Sequence, residues 1–208
     1  MKTITHFLIL ACPIIFLFPA SGETLKLSKE IFNNSDITFR PHVGAGAFDS
    51  YLTMEINYGP IPALFKQLVS AEKLSLKTRG EAHITVITPP EFSKILKRKI
   101  TMDEINELAQ SLEIQKSLIE INCLGKGQTT IQGHKEATYY LVAKSDQLVK
   151  IRQAIEDLYI QKGGDPKLFE ATHFYPHMTL GFTSRDLHEE DGVIKDIKSC
   201  IFPIEFID

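Results

Sequence analysis

Leu118-Ile119-Glu120-Ile121-Asn122-Cys123-Leu124, then Thr129-Thr130-Ile131-Gln132, then Ala137-Thr138-Tyr139-Tyr140-Leu141-Val142-Ala143 follow one another with glycines between them. The runs are rich in β-branched and aromatic residues, so they read as three strands of a meander with turns at Gly125, Gly127 and Gly133. Turns this short join antiparallel neighbours, because a parallel pair needs a crossover of about a dozen residues or more. The meander therefore sets the fold class as α+β with largely antiparallel sheets, not a doubly wound parallel sheet.

Working outward, Ser145 and Asp146 cap a helix to about Gln161, and Leu148, Ile151, Ile155 and Leu158 share one of its faces. Gly163-Gly164-Asp165-Pro166 ends it. Past Pro176, Met178 to Thr183 reads as a strand, and Ile201 to Ile207 as a last one. On the N-terminal side, Thr101-Met102-Asp103-Glu104 is a capping box ahead of a helix from Ile105 to about Leu112. Ala82 to Ile87 is a β-branched strand stopped at Pro89-Pro90. Pro60 and Pro62 open a helix to about Ala71, and Tyr51 to Ile56 alternates as a strand.

Two of these strands begin alike. His83-Ile84-Thr85-Val86 and His177-Met178-Thr179-Leu180 both read histidine, apolar, threonine, apolar. Strand alternation puts the histidine and threonine of each copy on one face and the apolar pair on the other. One copy alone would be an ordinary strand. Two matched copies describe a polar face with two imidazoles and two hydroxyls, which suits a phosphodiester. One imidazole takes a proton from water and the other gives one to the leaving oxygen. The hydroxyls hold non-bridging oxygens as charge builds. Such chemistry requires no metal.

These residues resemble the 2H (two-histidine) phosphoesterase superfamily, whose members include RNA 2′,3′-cyclic phosphodiesterases and related RNA-end processing enzymes. The wider stretches 80–92 and 174–187 are similar to the subgroup known as the Swiss Army Knife 2H domain, and the likeness runs from roughly Tyr51 to the C-terminus. The resemblance implies a two-lobed fold, with antiparallel sheets lining a central cleft and helices outside. It implies His83 and His177 as the acid–base pair, Thr85 and Thr179 as phosphate binders, and no cofactor. The acid and base are not distinguished, nor is a 2′ from a 3′ product. Two other classes stay open: a non-catalytic module that binds phosphate or nucleotide, and a metal-dependent hydrolase. The latter lacks a motif such as His-Glu-x-x-His.

Further candidates surround the motifs. Arg185 is expected either to contact phosphate or to pair with Asp186 at the surface. Tyr175 and Phe174 either stack on a base or pack the core. Glu81 has the strand parity to orient His83, and Arg79 precedes it. Lys94, Lys97, Arg98 and Lys99 form a basic cluster that either lines one rim of the cleft or, as it chiefly reads, is solvated surface. His42, His134, His173 and His188 lack matched spacing and read as background.

The chain has 208 residues, enough to bury one ordinary core. With 26 acids against 23 bases and a net charge of −3, it is not built to grip long double-stranded nucleic acid. A small nucleotide or an RNA end remains allowed. No glycine-rich dinucleotide or phosphate-loop pattern occurs. Lys2, the apolar run Phe7 to Phe18, and the small residues Ala20 and Gly22 read as a secretory signal cleaved near Gly22/Glu23. The expected organisation is a signal over 1–22, an N-terminal extension over 23–50 and the domain over 51–208. A secreted or periplasmic protein without a membrane span after cleavage follows, its oligomeric state open. Cys123 and Cys200 would then be a disulfide or two buried thiols, and Asn33-Asn34-Ser35 fits a glycosylation acceptor.

Overall fold

The computed structural model describes residues 23–46 and 48–208, so the signal over 1–22 lies outside the described residues. Along the described chain come β1 (Leu25–Ser28), β2 (Leu52–Glu55), α1 (Ile61–Glu72), β3 (His83–Ile87), α2 (Met102–Ser111), β4 (Glu120–Ile131), β5 (His134–Lys144), α3 (Asp146–Gln161), β6 (His177–Phe182), β7 (Cys200–Phe202) and β8 (Ile204–Ile207). The class is α+β. An antiparallel sheet has the order β6-β5-β4-β7, β2 and β3 form an antiparallel pair, and β1 and β8 form a parallel pair.

The meander differs from its expected form. Residues 120–131 make one strand where two were predicted, and only the turn at Gln132 and Gly133 is real, both with positive φ as a tight hairpin needs. A Cβ at Gly125 would stand 2.7 Å from the Tyr140 ring, and one at Gly127 2.1 Å from Val193 Cγ1. Those two glycines are therefore sites of close packing within a strand, not turns.

Two more boundaries moved. Thr88 and Glu91 bond reciprocally, Thr88 N–H to Glu91 Oε2 at 2.8 Å and Glu91 N–H to Thr88 Oγ1 at 3.3 Å. This capping box starts a helical segment over 91–98 where Pro89-Pro90 was read only as a stop. The C-terminal strand divides at Pro203: β7 pairs with β4, and β8 with β1. Residues 25–31 of the N-terminal extension share the core, with Leu25, Leu27 and Ile31 buried. The α2 capping box at Thr101 and Glu104 forms.

Apolar residues of β3, β6, α1 and α3 meet in one core, among them Ile84, Val86, Leu64, Ile151, Met178 and Leu180. β3 and β6 belong to different sheets yet pack against each other. Arg152 of α3 is buried beside them and bonds Val86 O of β3 at 2.7 Å and Ala171 O at 2.8 Å. Cys123 and Cys200 are joined as a disulfide between β4 and β7, packed on Tyr140 and Val142.

Candidate active site

In β3, Ile84 and Val86 are fully buried, and in β6 Met178 and Leu180 are nearly so. Alternation turns His83, Thr85, His177 and Thr179 the other way, and all four line one open pocket of about 560 Å³. The apolar halves of the motifs thus anchor the strands, and the polar halves make the site.

The two histidines sit in opposite electrostatic surroundings. Across the β2–β3 ladder, Glu55 lies opposite His83 and Thr53 opposite Thr85, so their side chains share a face. Thr53 Oγ1 donates to Glu55 Oε1 at 3.0 Å, and His83 Nδ1 lies 3.6 Å from Glu81 Oε1. Burial pushes the His83 imidazole below its ordinary value, while the carboxylates of Glu81 and Glu55 pull it back up.

His177 donates from Nδ1 to Tyr175 O at 2.7 Å when neutral, which fixes the tautomer and leaves Nε2 with a lone pair. The edge of its ring meets Tyr140, with centroids 5.7 Å apart. Burial and then the Lys195 ammonium drive His177 down to about 3. At neutral pH this imidazole is therefore unprotonated at Nε2.

Beside His177 lies a buried ionic cluster. Asp186 Oδ1 accepts from Lys195 Nζ at 2.9 Å, while Oδ2 accepts from Arg79 Nη2 at 3.1 Å and from Thr179 Oγ1 at 3.0 Å. Despite burial, the Lys195 charge holds the Asp186 carboxyl down at about 2. Burial also lowers His188, which lines the same pocket.

Of the remaining sequence candidates, Tyr175 lines the pocket and stands edge-on to His173, and Phe174 lines it while packing on Arg152. Arg185 is placed elsewhere. Its guanidinium grips Asp191 at 2.9 and 2.6 Å, pairs there instead of with the Asp186 side chain, and does not line the pocket. The reason is local: Asp191 ends a short turn that folds back over residue 185, and a bidentate acceptor outcompetes solvent. Lys94, Lys97, Arg98 and Lys99 are exposed. His173 and His188, read as background, line the pocket; His42 stacks on Tyr51 at 4.1 Å and approaches Glu55, and His134 is exposed.

Sequence reasoning missed Lys195, Glu55 and Arg152. Lys195 offers no signal, since in sequence it is an ordinary lysine between Ile194 and Asp196. Glu55 could have been found from strand parity, since it shares a face with Thr53 while Leu52, Met54 and Ile56 take the other. Arg152 sits among the apolar positions of α3, between Leu148 and Ile155. Among the described residues, no three His, Cys, Asp or Glu side chains converge to hold a metal ion.

The sequence model of a family described as Swiss Army Knife, 2H phosphoesterase domain matches residues 50–188, which include both motifs. No curated protein and no solved structure matches the chain.

Proposed function

The chain belongs to the 2H phosphoesterase family, hydrolases acting on phosphodiesters, and from that premise we propose that it is a metal-independent phosphodiesterase that opens the 2′,3′-cyclic phosphate of a nucleotide or RNA end. The observation that carries the reading is the pairing of two imidazoles in one pocket with opposite surroundings, carboxylates at His83 and an ammonium at His177. His177 is the base and His83 the acid. Nε2 of His177 takes a proton from water as its oxygen attacks phosphorus. The bond from phosphorus to the ribose 2′ or 3′ oxygen breaks, and the His83 imidazolium protonates that oxygen. The product is a phosphomonoester, with His177 left protonated and His83 neutral; His177 then releases one proton to solvent and His83 takes one up, which restores both. Negative charge on the substrate adds to Glu81 and Glu55 in favouring protonated His83. Thr85 faces the pocket and binds a non-bridging oxygen.

Export belongs to the same proposal. A disulfide between Cys123 and Cys200 fits an oxidising compartment. The substrate would then be extracellular or periplasmic RNA ends or nucleotides.

The test is turnover of a 2′,3′-cyclic nucleotide by the purified protein in excess chelator, beside H83A and H177A. Turnover that survives the chelator and is lost in both variants is expected. Turnover abolished by the chelator would establish the metal-dependent hydrolase instead. No turnover by folded wild type would remove this substrate class and leave another phosphodiester or a binding module.

A further inference from the structure

Lys195 is an unusual resident of a pocket wall. Its side chain is 3% exposed, and its Nζ lies 5.3 Å from the centroid of the Tyr140 ring. Burying an ammonium is costly unless it is paired. Its partner Asp186 is itself 6% exposed, but it is shared, because Arg79 binds the other carboxylate oxygen. Two cations on one carboxylate leave a surplus of one positive charge next to His177 and Thr179. Acids at the pocket mouth do not cancel it. Glu189 is half-exposed and Glu190 exposed, so water screens both, and Glu91 is committed to Arg152 at 2.9 Å.

The hydroxyl of Thr179 points the same way. It has a single proton, and that proton goes to Asp186 Oδ2. Thr179 therefore cannot also donate to a phosphate oxygen while it holds Asp186. An ammonium has three protons, and Asp186 uses one from Lys195. The structure has a spare donor and a spare charge where the motif's hydroxyl is already occupied.

On the premise that the pocket takes a phosphate ester, we propose that Lys195 is the phosphate-binding cation of the β6 half of the site, that Asp186 aims it, and that Thr179 serves to fix Asp186. Arg79, on the exposed side of the same carboxylate, is the second cation in reach of the ester. Lys195 stands outside the residues 50–188 matched by the family.

Inorganic phosphate is the direct probe, titrated calorimetrically into the full protein as wild type, K195M, K195R and the double variant K195M/D186N. The double variant removes both buried charges, where K195M alone leaves the buried Asp186 with only Arg79 and Thr179 on its other oxygen; thermal melting establishes which variants are folded. The expected result is a loss of phosphate affinity of about tenfold or more in K195M and in the double variant, with K195R within a few-fold of wild type. A matching rise in KM for the cyclic nucleotide, larger than the fall in kcat, accompanies it. A folded K195M/D186N that binds phosphate as tightly as wild type overturns the assignment, as does wild type that binds no phosphate. Phosphate binding that needs Lys195, in a protein that turns over no cyclic nucleotide, upholds the assignment and removes the proposed substrate.

Discussion

The strands β3 and β6 carry the same four-residue pattern, yet the protein surrounds them differently. His83 faces Glu55 from the neighbouring strand and Glu81 from the segment that leads into its own. His177 faces Lys195 from the C-terminal segment and is pinned through Nδ1 to a backbone carbonyl. The threonines differ too: Thr179 is held by Asp186, whereas Thr85 lies opposite Thr53 across the ladder. Repetition of a motif thus fixes where two imidazoles stand. Their neighbours shift the two imidazoles by different causes, and on the proposed mechanism the division of labour comes from those residues outside the motif.

Removing either imidazole is the largest test of that comparison. H177A and H83A should each lower kcat/KM for a 2′,3′-cyclic nucleotide by about 10²–10⁴-fold. A variant that keeps near-full activity would break the pairing. Next is the residue that ties the halves together. Arg152 reaches Val86 O of β3, Glu91, and the carbonyls of Ala171, Glu170 and His173 on the approach to β6. R152M leaves these acceptors buried and unpaired, and urea unfolding should show a loss of about 3–5 kcal/mol. R152K should not restore it, because one ammonium cannot span that fan of acceptors.

The disulfide sharpens the contrast from below the β6 half, since Cys123 and Cys200 pack on Tyr140, which touches His177. It closes a separation of 77 residues. Reduction, or C123A/C200A, should cost about 2–4 kcal/mol in denaturant unfolding. The smallest effect is electrostatic. Replacing both carboxylates in E55Q/E81Q removes what raises His83, so its pKa falls. The decline of kcat/KM on the alkaline side should then start at lower pH, by up to about one unit. An unmoved limb would show that His83 is not the acid.

Stability should follow the same imidazoles. Both are held below their ordinary pKa in the folded protein, so the unfolded chain binds more protons as pH falls below about 6.5. Each histidine contributes stability at neutral pH that is lost on acidification, by at most about 1.4 kcal/mol per pH unit. Chemical unfolding at pH 7 and pH 5 checks the direction.

How much of this was legible beforehand follows from the range of each signal. Strand alternation is local, so the facing of His83 with Thr85 and of His177 with Thr179 could be read directly, and so could the α2 capping box. Gly125 and Gly127 misled because a glycine that admits a neighbouring side chain looks in sequence like one that makes a turn. The capping box at Thr88 and Glu91 was hidden by the two prolines inside it, which are as compatible with the first turn of a helix as with a stop. Lys195, Asp186 and Arg79 come together only through tertiary packing, and no spacing predicts a cluster assembled from three segments outside the strands and helices. Arg185 stood next to the site in sequence, but Asp191 draws it away.

The proposed mechanism makes His177 the base and His83 the acid. Nitrogen-15 NMR of the two imidazoles across pH 3–8 tests it most directly. His177 should stay neutral with its proton on Nδ1 at every pH where His83 is still titrating, so that His83 takes up its proton first as pH falls. A His177 that protonates at or above the pH of His83, or that carries its neutral proton on Nε2, would contradict it.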